Sequence, residues 1–390
     1  MVWAVTLATA LLLVDLAALG WLYAWRWTET RRGWIAVGPA RRAVRWWRAL
    51  GIRAALWFPS WPHLVERLLG GQQVPVGRTP ASVFTSTSGA VLFRYAAPTP
   101  RRGRPVLVVH AVVTRPWILD LLPGRSLVES LVADGRDVFL LDWGDPGALE
   151  AQHGLATKTA MLRDAQRFVR DATGGDAVHV VAYCTGATVA LIEAAQQPDG
   201  PRASLTLIAP PVDTAVPGGM GTVLRQRRLM PVLLLDEDGC VPAAAVRESF
   251  HVLRPEALQA ARSRWRTRRD PGQSETAAAL TRWAWEQRPL PGRMFFDLID
   301  YYRDNPFLTA PLGDQLRELT TPTLVAVTDR DHIVPIASSL ALTRLMRKEP
   351  TVVRCAGGHV SMLMGHEART VLYPAILDWL DDHDRGGRRR

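Results

Sequence analysis

Cys184 stands in the run Val180-Val181-Ala182-Tyr183-Cys184-Thr185-Gly186-Ala187, after an apolar, strand-like stretch and before a helix-like one. A thiol placed there can serve as a nucleophile. A sharp strand-to-helix turn lifts such a residue above the edge of a sheet, and small residues two places on either side let the backbone turn without clashing. Ala182 and Gly186 fill those flanks. Two further groups of suitable chemistry follow. Asp331 lies in Thr323-Leu324-Val325-Ala326-Val327-Thr328-Asp329-Arg330-Asp331-His332, a strand leading into a polar turn, and His359 closes Val352-Val353-Arg354-Cys355-Ala356-Gly357-Gly358-His359. Each lies just past the carboxyl end of a predicted strand, where open parallel sheets gather their chemistry. A lone cysteine in a small-residue turn is more often a packing residue. With an acid and a base in order behind it, the catalytic reading is preferred.

In that reading His359 draws the proton from Cys184, while Asp331 holds the imidazole in one tautomer and stabilises its cation. His332 is a rival base; directly after Asp331 on a turn, it is read as a structural residue supporting the site. Asp329 is a rival acid that residue type alone leaves open. The backbone amide of Thr185 and one from the loop Ala111-Val112-Val113, taken as Val112, are expected to form an oxyanion hole. A thiol suits a thioester donor, because acyl exchange between two sulfurs is nearly balanced in free energy and onward transfer to an alcohol runs downhill. A cap that excludes water would protect the intermediate from hydrolysis.

Composition narrows the field. A chain of 390 residues, 48% hydrophobic, can hold one large catalytic domain with an insertion and an N-terminal extension. Three cysteines without paired spacing argue against a disulfide framework and against a zinc site, so no metal and no cofactor are expected. A reducing cytosol suits a working thiol. The formal charge of +10 invites a nucleic-acid reading, yet Lys158 and Lys348 are the only lysines and no nucleic-acid-binding signature accompanies the arginines. Nucleic acid is therefore not expected as a partner. The basic surface would attract an anionic substrate or an acidic lipid surface.

Residues 1–25 form a hydrophobic stretch, broken by Thr6, Thr9 and Asp15, long enough to cross a bilayer as a helix. No basic start precedes it, and the arginines from Arg26 to Arg53 follow it, so the positive-inside rule keeps the rest of the chain cytoplasmic. Asp15 is costly at mid-membrane unless protonated or paired, so an interfacial helix or an anchor in another apolar phase competes. Residues 26–80 are a basic region in which Val44, Trp47, Leu50, Ala54 and Trp57 recur at helical spacing. This fits a lipid or polymer surface, or equally a helix packed on the catalytic domain.

Residues 82–96 read as a hairpin turning near Ser88-Gly89. Apolar, β-branched runs follow at 105–110, 137–141, 177–183, 204–209, 323–328 and 351–355, several separated by helical stretches at 127–134, 157–171 and 187–197. Such alternation means a mostly parallel sheet covered on both faces, an α/β fold. The organisation expected is a core in two parts, 81–211 and 313–384, with a mainly helical cap insertion at 212–312 and a disordered tail at 385–390.

Several segments together resemble the polyhydroxyalkanoate synthases, most nearly the short type that works with a second subunit. They are Val112-Val113-Thr114-Arg115-Pro116-Trp117-Ile118-Leu119-Asp120, Leu140-Leu141-Asp142-Trp143-Gly144-Asp145-Pro146, Tyr183-Cys184-Thr185-Gly186, Ala209-Pro210-Pro211-Val212-Asp213, Asp331-His332-Ile333-Val334-Pro335 and Gly357-Gly358-His359-Val360. Weaker similarity runs through Thr281-Arg282-Trp283-Ala284 and from Phe295 to Phe307. The resemblance implies an α/β-hydrolase fold, with Cys184 as acyl-carrying nucleophile, Asp331 rather than Asp329 as triad acid and His359 as general base. It implies a reaction that joins hydroxyacyl units from hydroxyacyl-CoA into a polyester. Coenzyme A enters only as the substrate's thioester. The partners it implies are a growing chain or granule surface, a second synthase subunit and a homodimer; the hydrophobic stretch, which is not typical of the family, adds an expected membrane association through residues 2–25 on the cytoplasmic face of the inner membrane. Two positions depart from the family box, Ala182 and Ala187, where the family carries Gly. A Cys-dependent hydrolase, either a polyester depolymerase or an acyl-CoA thioesterase, uses the same triad with water as acceptor. A non-catalytic granule or membrane scaffold is the remaining alternative.

Overall fold

Apolar runs too hydrophobic for a solvated sheet face become the centre of an eight-stranded sheet. The computed structural model describes residues 74–87, 89–95, 101–224, 235–253 and 271–385 of the chain. The expected hydrophobic helix at 1–25, the basic region as far as residue 73, and the tail beyond Arg385 lie outside the described residues. Arg385 itself ends the last helix.

The strands are β1 (Ser82–Thr87), β2 (Ala90–Tyr95), β3 (Val106–Val109), β4 (Val138–Asp142), β5 (Val178–Tyr183), β6 (Arg202–Ile208), β7 (Thr323–Thr328) and β8 (Thr351–Cys355). They lie in the order β1-β2-β4-β3-β5-β6-β7-β8. The hairpin β1–β2 joins antiparallel through β2 to β4, and the remaining pairs are parallel. Every residue of β3, β4, β5 and β7 is buried, which is why these runs show no polar alternation. At the hairpin turn Gly89 has φ 80° and its carbonyl lies where a Cβ on Gly144 would sit, 1.7 Å away, so residue 144 must be glycine for the turn to rest on the end of β4.

The principal helices are α1 (Leu127–Ala133), α2 (Leu155–Thr173), α3 (Thr185–Gln196), α4 (Pro271–Trp285), α5 (Gly292–Asp304) and α6 (Tyr373–Arg385). Ser126 caps α1, accepting from Glu129 N at 2.8 Å. The start of α2 is capped from a distance: Gly154 offers no side chain, and Asp297 on α5 accepts from Leu155 N at 2.8 Å. This moves the helix start two residues ahead of the expected Thr157. Strand β6 likewise begins at Arg202 rather than Ser204, because Arg202 is buried against Glu193 at 2.9 Å. The described residues between β6 and β7 hold α4, α5, a further helix at Ala243–Leu253, shorter helical turns and a small strand pair, Cys240–Val241 with Leu290–Pro291. The apolar face of α5 (Met294, Phe295, Leu298, Tyr301) joins the cluster formed by α2, α3 and one face of the sheet. Each such side chain, fully buried, contributes about 1.5–3 kcal/mol. Among the described residues no helix is long and apolar enough to cross a membrane, and no group of three or more His, Cys, Asp or Glu could hold a metal ion.

Candidate active site

Cys184 is the hinge between β5 and α3. Its backbone takes φ 55° and ψ −123°, a left-handed φ that costs a non-glycine residue about 1–3 kcal/mol. The turn is fixed by Cys184 N donating to Ile208 O at 2.8 Å and by Thr188 N donating to Cys184 O at 3.1 Å. Gly186 passes so close to β3 that a Cβ there would lie 2.3 Å from His110 O. Ala182 and Ala187, where the resembling family carries Gly, are fully buried with their methyl groups accommodated. The steric constraint on this elbow therefore falls on residue 186.

The turn after β7 and the loop after β8 bring Asp331 and His359 together. His359 Nδ1 lies 2.6 Å from Asp331 Oδ2. The other carboxylate oxygen accepts from Ile333 N at 2.9 Å and Val334 N at 2.8 Å, which fixes the acid on its turn. Tyr183 packs its ring 5.1 Å from that of His359 and donates its hydroxyl to His359 O at 3.3 Å. Burial alone would push the imidazole down; the Asp331 charge, then the Cys184 sulfur, with hydrogen bonds to both, raise it to about 10. Burial would raise Asp331, but the His359 charge and hydrogen bond and the two amides hold it below the usual carboxylate range. With Nδ1 on Asp331, Nε2 is the ring nitrogen left to face Cys184.

The two rivals lie elsewhere. Asp329 has its side chain 63% exposed and accepts from Gly357 N at 3.1 Å rather than meeting His359. His332 is exposed, and its carbonyl accepts from Gly219 N at 2.8 Å. Thr185 is the first residue of α3, so its amide has no carbonyl one turn back to bond. The Val112 amide is engaged: it donates to Thr185 Oγ1 at 3.1 Å. The open pair of donors expected from the sequence is thus half occupied, the Thr185 hydroxyl standing on Val112 N. Thr185→Val leaves that amide unpaired and is expected to cost about 1–2 kcal/mol of stability, seen as a lowered melting temperature that Thr185→Ser does not share.

Beneath this loop lies a charged network that the sequence did not reveal. Trp143 Nε1 donates to His110 O at 3.0 Å. Asp142, at the end of β4, makes a two-pronged pair with Arg288, whose second prong is Nη2 to Oδ2 at 2.9 Å. Arg288 also donates to Gly144 O at 3.1 Å and pairs with Asp145 at 3.0 Å. Arg115 reaches Asp145 at 3.0 Å and Glu286 O at 2.8 Å, and Trp283 Nε1 donates to Arg115 O at 3.3 Å. Residues 283–288 are thereby tied to the loop that carries Val112. Burial would raise Asp142, but Arg288 and then His110 hold it far below the usual carboxylate range. Arg288→Leu strands that carboxylate and is expected to cost about 3–5 kcal/mol, read as a large fall in melting temperature; a shift within a degree of wild type would contradict the pairing.

The family model described as the alpha/beta hydrolase fold matches residues 104–365, which span β3 to the loop beyond His359. This chain belongs to the alpha/beta hydrolase family. Solved structures agree on the fold alone: a hydrolase from Pseudomonas aeruginosa superposes with TM-score 0.51 at 15% identity, covering 78% of this chain and 99% of that one. Among curated relatives, the poly(3-hydroxyalkanoate) polymerase subunit PhaC of Allochromatium vinosum is 29% identical over 82% of this chain and 93% of its own length. The protein of that name from Synechocystis is 28% identical, over 80% of this chain and 87% of its own. That from Cupriavidus necator is 28% identical, over 79% of this chain and 57% of its own. The resemblance read from the motifs is thus matched by curated relatives bearing the polymerase name.

Proposed function

We propose that this protein is a poly(3-hydroxyalkanoate) polymerase, an acyltransferase that joins hydroxyacyl groups from hydroxyacyl-CoA into a polyester through a thioester on Cys184. The observation that carries the reading is a cysteine, where most hydrolases of this fold would place serine, on the elbow of a chain whose curated relatives are named as polymerases.

Cys184 Sγ, its proton already held on His359 Nε2, attacks the thioester carbonyl. The amides of Thr185 and Val112 hold the developing oxyanion. Collapse expels the coenzyme A sulfur, which takes the proton from His359, and Cys184 is left carrying the hydroxyacyl group. The hydroxyl of a second hydroxyacyl group then attacks that thioester, giving its proton to His359; an ester forms as the Cys184 sulfur departs, with the proton again held on His359. Asp331 keeps the imidazole oriented through both halves. No bound cofactor enters this scheme.

A second synthase subunit, a homodimeric assembly and placement at a granule surface or on the inner membrane through residues 2–25 belong to the same proposal. The test is a single-turnover mixture of full-length protein with 3-hydroxybutyryl-CoA, quenched in acid and read by mass spectrometry. Hydroxyacyl units on the Cys184 peptide are expected; coenzyme A release with Cys184 never modified would overturn the mechanism.

A further inference from the structure

The helices that flank the nucleophile strand also form a second feature, away from the catalytic edge of the sheet. Glu193 lies nine residues beyond Cys184 along α3, about 13 Å at the helical rise, and faces the later turns of α2. Between the two helices is a cleft of about 210 Å³ whose lining includes Arg163, Asp164, Gln166, Arg167, Arg170 and Glu193. Positions 163, 166, 167 and 170 share one face of α2.

Two buried groups in this cleft lack partners. Gln166 is 3% exposed, and both its amide oxygen and its amide nitrogen are buried without a hydrogen bond. Arg170 Nε is buried without one as well. Native structures rarely leave such groups unsatisfied unless something else meets them. The carboxylates nearby are already committed. Glu193 is held by Arg202 at 2.9 Å and meets Arg163 only at 4.0 Å, while Asp164 pairs with Arg167 at 2.9 Å. Among the described residues no carboxylate pairs with Arg170. The cleft therefore carries excess positive charge around an amide that can donate and accept.

We propose that this cleft binds a phosphoryl group. Guanidinium groups match the spacing of phosphate oxygens and form strong charge-assisted bonds to them. Gln166 adds one donor for a bare oxygen and one acceptor for a P–OH, the combination that a singly protonated phosphate presents. The phosphate is free in solution or belongs to a lipid headgroup. In either case it lies apart from Cys184 and leaves the catalytic residues unobstructed.

The experiment is thermal unfolding of the full-length protein in inorganic phosphate against sodium chloride of equal ionic strength. A saturable rise in melting temperature of about 2–4 °C is expected for wild type. Arg170→Gln and Gln166→Leu are expected to lose it. Gln166→Leu should also melt higher than wild type without phosphate, since it removes an unpaired buried amide, so loss of the phosphate response there is not loss of folding. Flotation with phosphatidic acid vesicles separates the sources: binding that Arg170→Gln abolishes means a lipid headgroup, and no flotation with an intact phosphate response means free phosphate. No response in wild type, or the same response in both variants, overturns the proposal.

Discussion

Cys184→Ala is expected to lower coenzyme A release from hydroxyacyl-CoA by about a thousandfold or more, the scale seen when the nucleophile of a covalent mechanism is removed. The variant should still fold. Ala is smaller than Cys, the side chain is buried in an apolar cluster with Tyr183, Ile208 and Val360, and the turn is held by backbone bonds through Cys184 N and O rather than through sulfur. A melting temperature near that of wild type with release abolished separates loss of chemistry from loss of structure. Release at the wild-type rate would mean that the thiol on this elbow does not carry the acyl group.

Asp331→Asn is expected to cost on the order of 10³–10⁴-fold in turnover, because an amide in place of the carboxylate favours the wrong imidazole tautomer and no longer stabilises the cation. Asn keeps an oxygen for the Ile333 and Val334 amides, so the turn is retained. The same substitution has a pH signature. With His359 raised to about 10 by the charges around it, its contribution to stability is complete below the unperturbed value near 6.5 and is lost as pH rises toward 10. Asp331 is held below the usual carboxylate range, so its contribution is present above about pH 4 and lost as pH falls. The gap in melting temperature between wild type and Asp331→Asn should therefore be widest between about pH 4 and 6.5 and narrow toward pH 10. A gap independent of pH would contradict the buried His359–Asp331 pair.

Both residues were legible because each stands just past the carboxyl end of a strand that is buried along its whole length. In a parallel sheet buried on both faces, strand, strand end and site follow from one hydrophobic pattern. The hairpin was legible for a local reason too: Gly89 supplies the positive φ at the turn. What escaped were features made by residues far apart. Arg288 meets Asp142 across 146 positions, and Asp297 caps α2 across 142. No spacing rule links such partners, and neither the burial of Arg202 nor that of Gln166 has a local signature. The engagement of Val112 N by Thr185 was hidden for another reason. Every residue except proline carries a backbone donor, so residue type says nothing about which amide faces the nucleophile or what occupies it.

The triad geometry serves acyl transfer to an alcohol and to water equally, so the acceptor decides the account. The direct measurement is to incubate full-length protein with 3-hydroxybutyryl-CoA and follow free coenzyme A and the size of the acyl product in the same reaction. Coenzyme A release accompanied by long polyester chains is the predicted result. Release accompanied only by free hydroxyacid would contradict the polymerase reading and make the protein a thioesterase.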